Sequence, residues 1–236
     1  MDLSILDNLL NQNSFDSNFS IIDETDEFIV IIKKYGIAVQ ATDKENNDLE
    51  SVLNARYPEK VHVLNRIDQP VSGLVIFGKT IAFSAEFTEM LKNRSVKKTY
   101  LGLVSGNPES GKVELRHFLK KLHNRAMSAD IMVDSNYKEA ILEYTLIQSF
   151  DNYHLLKINL KTGRFHQIRA QLATMDMPIK GDLKYGSRRP NLDRSICLLS
   201  YKLEFVHPFT GKLHSYKAPL PDNDVLWKLT DESLLD

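Results

Sequence analysis

The stretch AILEYTLIQSF (residues 140–150), DN (151–152) and YHLLKINL (153–160) decides the fold. Two runs rich in aliphatic and aromatic residues flank a two-residue Asp-Asn break, the pattern of strands joined by a tight hairpin. Such a pair is antiparallel, because parallel neighbours need a crossover of a dozen or more residues. Upstream, Phe28-Ile29-Val30-Ile31-Ile32 and Leu74-Val75-Ile76-Phe77-Gly78 are unbroken apolar runs that read as buried strands. Tyr100 to Val104 reads as another strand, stopped by the turn residues Ser105-Gly106-Asn107-Pro108. Between them, Phe83, Phe87, Met90 and Leu91 fall at helical spacing over residues 81–93. Downstream, a helix beginning near Phe165 carries Ile168, Ala170 and Leu172 and stops before Pro178. Cys197 to Phe205 is a further strand, closed by His207-Pro208, and residues 1–20 read as a short helix followed by a loop. Strands outnumber helices and several connections are short. The expected class is α+β, a mixed, mainly antiparallel β-sheet with flanking helices.

Composition narrows the function classes. Of 236 residues, 42% are hydrophobic and 26% charged, a globular balance that excludes collagen-like, wholly disordered and disulfide-scaffold chains. The single cysteine, Cys197, excludes an intrachain disulfide and a cysteine-based zinc site. No run approaches the roughly 18 apolar residues of a membrane helix, and the start MDLSILDNLLNQ carries no basic leader. No membrane association and a cytoplasmic location are therefore expected. The net charge of −1 hides a polarity: residues 1–55 hold 11 acids and 3 bases, residues 222–236 hold 5 and 1, and residues 56–221 hold 15 and 26. A basic body with acidic flanks suits a polyanion partner, although basic residues are also an ordinary solvated surface.

Three segments carry candidate chemistry. Asn65-Arg66-Ile67-Asp68-Gln69-Pro70-Val71-Ser72-Gly73-Leu74 places a carboxylate in a Pro/Ser/Gly loop just before an apolar strand; taken alone it reads first as a turn-capping aspartate paired with Arg66 on the surface. Lys97-Lys98-Thr99-Tyr100 leads into a strand whose tyrosine suits a core or a cleft. Thr162-Gly163-Arg164-Phe165-His166-Gln167-Ile168-Arg169, followed by Pro178-Ile179-Lys180-Gly181-Asp182 and Tyr185-Gly186, crowds donors at a helix start, where an anion such as phosphate is favoured. A structural hydrogen-bonded corner is the alternative reading.

Together these segments resemble the RluA-like RNA pseudouridine synthases. That family carries an H-R-L-D-x-x-T-S-G loop, a K-x-Y-x-A-x-V segment and a T-G-R-x-H-Q-I-R helix followed by P-I-x-G-D-x-x-Y-G. All three occur here in the same order, and the likeness spans about residues 25–220. The resemblance implies the pseudouridine synthase catalytic fold over residues 25–236, behind an acidic N-terminal extension (1–24) with no separate S4-type domain. It implies an enzyme that detaches uracil from ribose in RNA, rotates it and rejoins it through carbon 5, with no metal and no cofactor. It makes Asp68 the catalytic carboxylate, Arg169 its ion-pair partner and Tyr100 the ring that stacks on uracil and is a candidate for proton transfer at carbon 5. Arg66 takes the base-flipping role, with Arg164, His166 and Gln167 as supporting or RNA-facing residues. The partner is a tRNA or rRNA stem-loop; no obligate protein partner is indicated, and a monomer is expected.

Several positions depart from the family pattern. Asn65 stands for the usual His, Ile67 for Leu, Val71 for Thr and Lys34 for Pro in an early K-P-x-G. Asp176 stands where a Gly commonly ends the helix, and Gln171 and Met177 where His is frequent. None touches Asp68, Tyr100 or Arg169. Two other classes compete: an RNA-binding or RNA-chaperone protein that kept the fold and lost catalysis, and an unrelated phosphate-ester enzyme using the arginine-rich helix start. The absence of a P-loop, HExxH or dinucleotide fingerprint disfavours the latter.

Overall fold

The computed structural model describes residues 18–40 and 48–235. Its strands are β1 (Phe19–Glu24), β2 (Phe28–Lys33), β3 (His62–Val63), β4 (Ser72–Gly78), β5 (Lys97–Val104), β6 (Lys112–Leu122), β7 (Arg125–Ala129), β8 (Lys138–Ser149), β9 (His154–Leu160), β10 (Leu198–Val206) and β11 (Leu213–Lys217). The helices are α1 (Leu49–Arg56), α2 (Ile81–Lys92), α3 (Gln167–Thr174) and the short α4 (Val225–Lys228). The strands form one sheet in the order β1-β2-β4-β10-β5-β9-β8-β6-β7, with β3 beside β4 and β11 beside β10. Among the described strands only β4 and β10 pair in parallel; the α+β reading on a mainly antiparallel sheet holds.

The hairpin read from residues 140–160 is present as β8 and β9, with Tyr144 opposite Ile158. The unbroken apolar runs have a physical explanation. Phe28 and Val30 of β2, with Leu74 and Ile76 of β4, face a core closed by Phe83 and Phe87 of α2. Their neighbours Ile29, Ile31, Val75 and Phe77 face the opposite core, which also holds Ile168 and Leu172 of α3. Strands covered on both sides lose the alternation that marks a half-exposed strand.

Two readings differ from the structure. Residues 1–17 of the expected N-terminal helix lie outside the described residues, but Phe19–Glu24, placed in the acidic extension, pairs with β2 as the edge strand. Its acids hide the β-pattern, and they sit there because four of its six side chains are exposed. The helix expected near Phe165 begins at Gln167, because Gln167 itself closes the preceding turn (below).

Gly73 is a glycine whose freedom the site requires. It has φ +118°, and a Cβ there would stand 2.3 Å from the carbonyl oxygen of Ser200, its partner across the parallel pair. The close approach brings the end of the Asp68 loop against β10.

Candidate active site

Asp68 sits in a turn closed by Val71 N–H donating to its own carbonyl at 3.0 Å. Asn65 pins the loop from the other side, accepting from Ile76 N–H at 2.7 Å. This backbone tie gives the asparagine a structural role where a histidine was expected. A third tie comes from Lys33, which is fully buried. Its ammonium donates to the carbonyls of Lys34 (2.8 Å), Ile37 (2.8 Å) and Gln69 (3.2 Å), joining the end of β2 to the residue beside Asp68. Burial pushes Lys33 down to about 7, with the charge of Asp68 acting the other way.

The Asp68 carboxylate accepts from Arg169 Nη1 at 2.9 Å. Arg169 lies on α3 and is 4% exposed. Its Nε and Nη2 donate to the two oxygens of Asp182, at 2.7 and 2.8 Å. A planar fork held along one edge, at Nε and Nη2, has little freedom left, so the remaining nitrogen, Nη1, is aimed at Asp68. Burial acts to lower the Arg169 pKa, but its bonds to Asp182 and the charges of Asp182 and Asp68 outweigh it, and the net direction is upward. The guanidinium also lies 5.0 Å from the ring centre of Tyr185.

His166 completes the cluster, with Nε2 3.6 Å from the Asp68 carboxylate. The Tyr185 hydroxyl accepts from Ala126 N–H at 2.7 Å and stands 3.0 Å from His166 Nδ1. The phenol thus ties Nδ1 of the ring to the β7 backbone and leaves Nε2 as the imidazole nitrogen that faces Asp68. His166 holds φ 51°, a left-handed conformation unusual for a residue other than glycine. Phe165 stacks on it with ring centres 3.8 Å apart.

Tyr100, on β5, is 6% exposed and packs in the same core as Ile67 and Val71, which bracket Asp68. Burial pushes its phenol up to about 12; a hydrogen bond with Ser200 acts against this and the charge of Asp68 adds to it. At neutral pH it therefore offers a ring and a hydrogen-bond donor, not a phenolate. Beside the cluster opens a cleft of about 520 Å³ with Arg169, Pro70, Gly181 and Ile196 among its walls.

Residues 27–174 match the family model described as RNA pseudouridylate synthase. The chain belongs to that family. Ribosomal large subunit pseudouridine synthase D of Haemophilus influenzae is 31% identical over 228 residues, covering 87% of this chain and 68% of the relative. Its namesake from Nitrosomonas europaea is 29% identical, covering 86% of this chain and 62% of the relative. The chain thus spans about two thirds of the length of these relatives. Among solved structures, human RNA Pseudouridylate Synthase Domain Containing 1 shares the fold, with a TM-score of 0.71 at 22% identity over 88% of this chain and 87% of the other.

Against the synthase motifs, the structure brings Asp68, Arg169 and His166 together, with Tyr100 near enough for its phenol to feel the Asp68 charge. Arg66 and Arg164 stay on the surface, Arg66 Nη1 donating to Gln40 Oε1 at 3.2 Å and Arg164 Nε to the Glu139 carbonyl at 2.9 Å. Gln167 requires a correction. It is 3% exposed and faces no solvent. Its Oε1 accepts from Thr162 Oγ1 (2.8 Å) and Arg164 N–H (2.9 Å), and its Nε2 donates to the Ile141 carbonyl (3.1 Å). It is the hydrogen-bonded corner that the motif also allowed, because a turn this close to β8 buries its polar groups and must satisfy them. The anion near the helix start is likewise internal: it is the carboxylate of Asp68.

Three site residues escaped sequence reasoning: Lys33, Asp182 and Tyr185. Asp182 and Tyr185 lay inside a quoted motif, but spacing does not say which side chain a carboxylate or phenol meets. Lys33 had one usable signal, a lysine ending an otherwise apolar strand.

Burial, first, lowers His166 to about 4 from an ordinary 6.5. Between those values the unfolded chain binds the proton and the folded chain does not, so stability is lost as pH falls through this window. Acidification from pH 7 to 5 is expected to cost the parent protein about 1–2 kcal/mol more than His166→Asn, which tolerates the left-handed backbone and does not titrate. Urea midpoints of both proteins at the two pH values measure it; equal losses would contradict a buried neutral imidazole.

Proposed function

We propose that this chain isomerises a uridine within structured RNA to pseudouridine, with Asp68 as the catalytic carboxylate. The observation that carries this reading is the 2.9 Å bond from a buried, doubly anchored Arg169 to a carboxylate that keeps 24% of its side chain exposed beside a cleft. A protein that only bound RNA would have no use for a carboxylate fixed at the binding surface, where its negative charge repels phosphate.

The reaction breaks the bond between ribose C1′ and uracil N1, turns the base and joins C1′ to C5; the C5 proton leaves and N1 ends protonated, so the atoms of uridine are conserved. Asp68 stabilises or captures the electron-poor C1′, and Arg169 holds the carboxylate in place for it. The neutral Tyr100 ring supports the detached uracil, and its O–H is a donor to the base. A stacked uridine hides its glycosidic bond, so the nucleotide must leave its helix, at a cost of a few kcal/mol. Arg66, exposed two residues before Asp68, is suited to fill the vacated space by stacking. Lys121 over the Phe165 ring, Arg125 over the Tyr185 ring and Lys184, bonded to the Asn124 carbonyl, supply phosphate contacts.

The relatives' names make large-subunit ribosomal RNA the first substrate to test, with tRNA second. Purified protein is incubated with unmodified rRNA and tRNA transcripts, and pseudouridine is read by carbodiimide-dependent reverse-transcription stops. New stops at a discrete uridine support the reading. RNA binding without any new stop favours the non-catalytic RNA binder.

A further inference from the structure

Residues 187–195 join the Tyr185-Gly186 turn to β10 and lie between the motifs that carry the family likeness. The loop is basic, with Arg188, Arg189 and Arg194 all exposed. At its tip, Leu192 is 108% exposed, more than any other large apolar residue described. An isolated exposed leucine is ordinary on a protein surface. This one differs in how it is held and in what it stands beside.

The chain on either side of Leu192 is clamped. Arg194 N–H donates to the Asn191 carbonyl at 3.0 Å, closing a turn with Leu192 and Asp193 at its centre. Asn191 is tied by Lys180 Nζ at 3.0 Å. Asp193 accepts from Ser195 N–H at 2.9 Å and from Asn223 Nδ2 at 2.6 Å. A leucine on a slack loop would fold back onto nearby apolar surface; the clamped turn keeps this one projecting. It stands on the rim of the cleft whose wall includes Arg169, the partner of Asp68.

We infer that Leu192 is an apolar wedge that enters the RNA stack beside the target uridine and opens the base step from which that nucleotide is withdrawn, while the loop arginines hold the flanking phosphates. The inference rests on the reading of the site as a uridine isomerase. It adds a second flipping element, on a different loop from Arg66. Side chains of this size and shape unstack base steps where proteins kink or open duplexes, and phosphate contacts on both sides keep the wedge in register.

The test uses a stem-loop RNA with uridine in its stem and 2-aminopurine as its neighbour, alongside an unpaired oligonucleotide of the same sequence. Binding of the parent protein is expected to raise 2-aminopurine fluorescence as the step opens. Leu192→Ala is expected to lose that rise and to lower the ratio of kcat/KM on paired over unpaired RNA by roughly tenfold to a hundredfold, with Leu192→Met restoring both. A merely structural role would lower turnover of both RNAs together and leave their ratio unmoved, which would overturn the wedge. A parent protein that never unstacks the probe would overturn it too. If unstacking depends on Leu192 but no pseudouridine forms, the wedge stands and the catalytic reading falls.

Discussion

Asp68→Ala and Asp68→Asn are each expected to reduce pseudouridine formation by about 10⁴-fold or more, while leaving fold and RNA affinity in place. The asparagine variant is the sharper probe. It keeps the size of the side chain and an oxygen able to accept from Arg169, and removes only the negative charge that either chemical route at C1′ requires. Stability should move little, because Arg169 keeps its paired bonds to Asp182, at 2.7 and 2.8 Å, when Asp68 is altered. Removing an anion from an RNA-facing cleft is expected to hold or tighten binding. The measurements are single-turnover pseudouridine yield, filter binding and a denaturant melt on the same preparations. Activity within tenfold of the parent for either variant would remove Asp68 from the chemistry.

Arg169→Met should behave differently, and the contrast is the more demanding prediction. Asp182 is 1% exposed, and Arg169 supplies two hydrogen bonds to its carboxylate. Taking the cation away leaves a buried charge without a partner, a change that typically costs about 3–5 kcal/mol. The same substitution frees Asp68, so turnover is expected to be lost as well. Asp182→Asn combined with Arg169→Met removes both charges, and the double variant is expected to melt well above the sum of the two single losses. It should remain inactive, since nothing then orients Asp68. Additive melts would mean that the Arg169–Asp182 pair contributes no coupling, and active double variants would mean that Asp68 needs no arginine.

Much of this site was legible in the linear chain. Asp68, Arg169 and His166 were singled out from motif order alone and meet around one carboxylate. Gln167 was misassigned because the same residue types serve a corner as well as a phosphate site, and only burial separates them. β6 and β7 passed unnoticed: charged residues such as Lys112, Glu114, Arg116 and Lys120 interrupt the apolar pattern of β6, which is solvent-covered along much of its length. Helix α1 was missed as well, where Leu49 and Leu53 are the only buried residues in eight.

The sequence by itself determined the class of fold, the strands buried on both faces, the family and the acid most suited to carry the reaction. Those properties depend on local pattern and on motif order, which survive in one dimension. The tertiary structure alone decided that Arg169 serves two acids, that Tyr185 turns His166 toward Asp68 and that a buried Lys33 braces the loop. Each depends on where separate segments cross in space, at distances of a few ångströms that no spacing along the chain encodes.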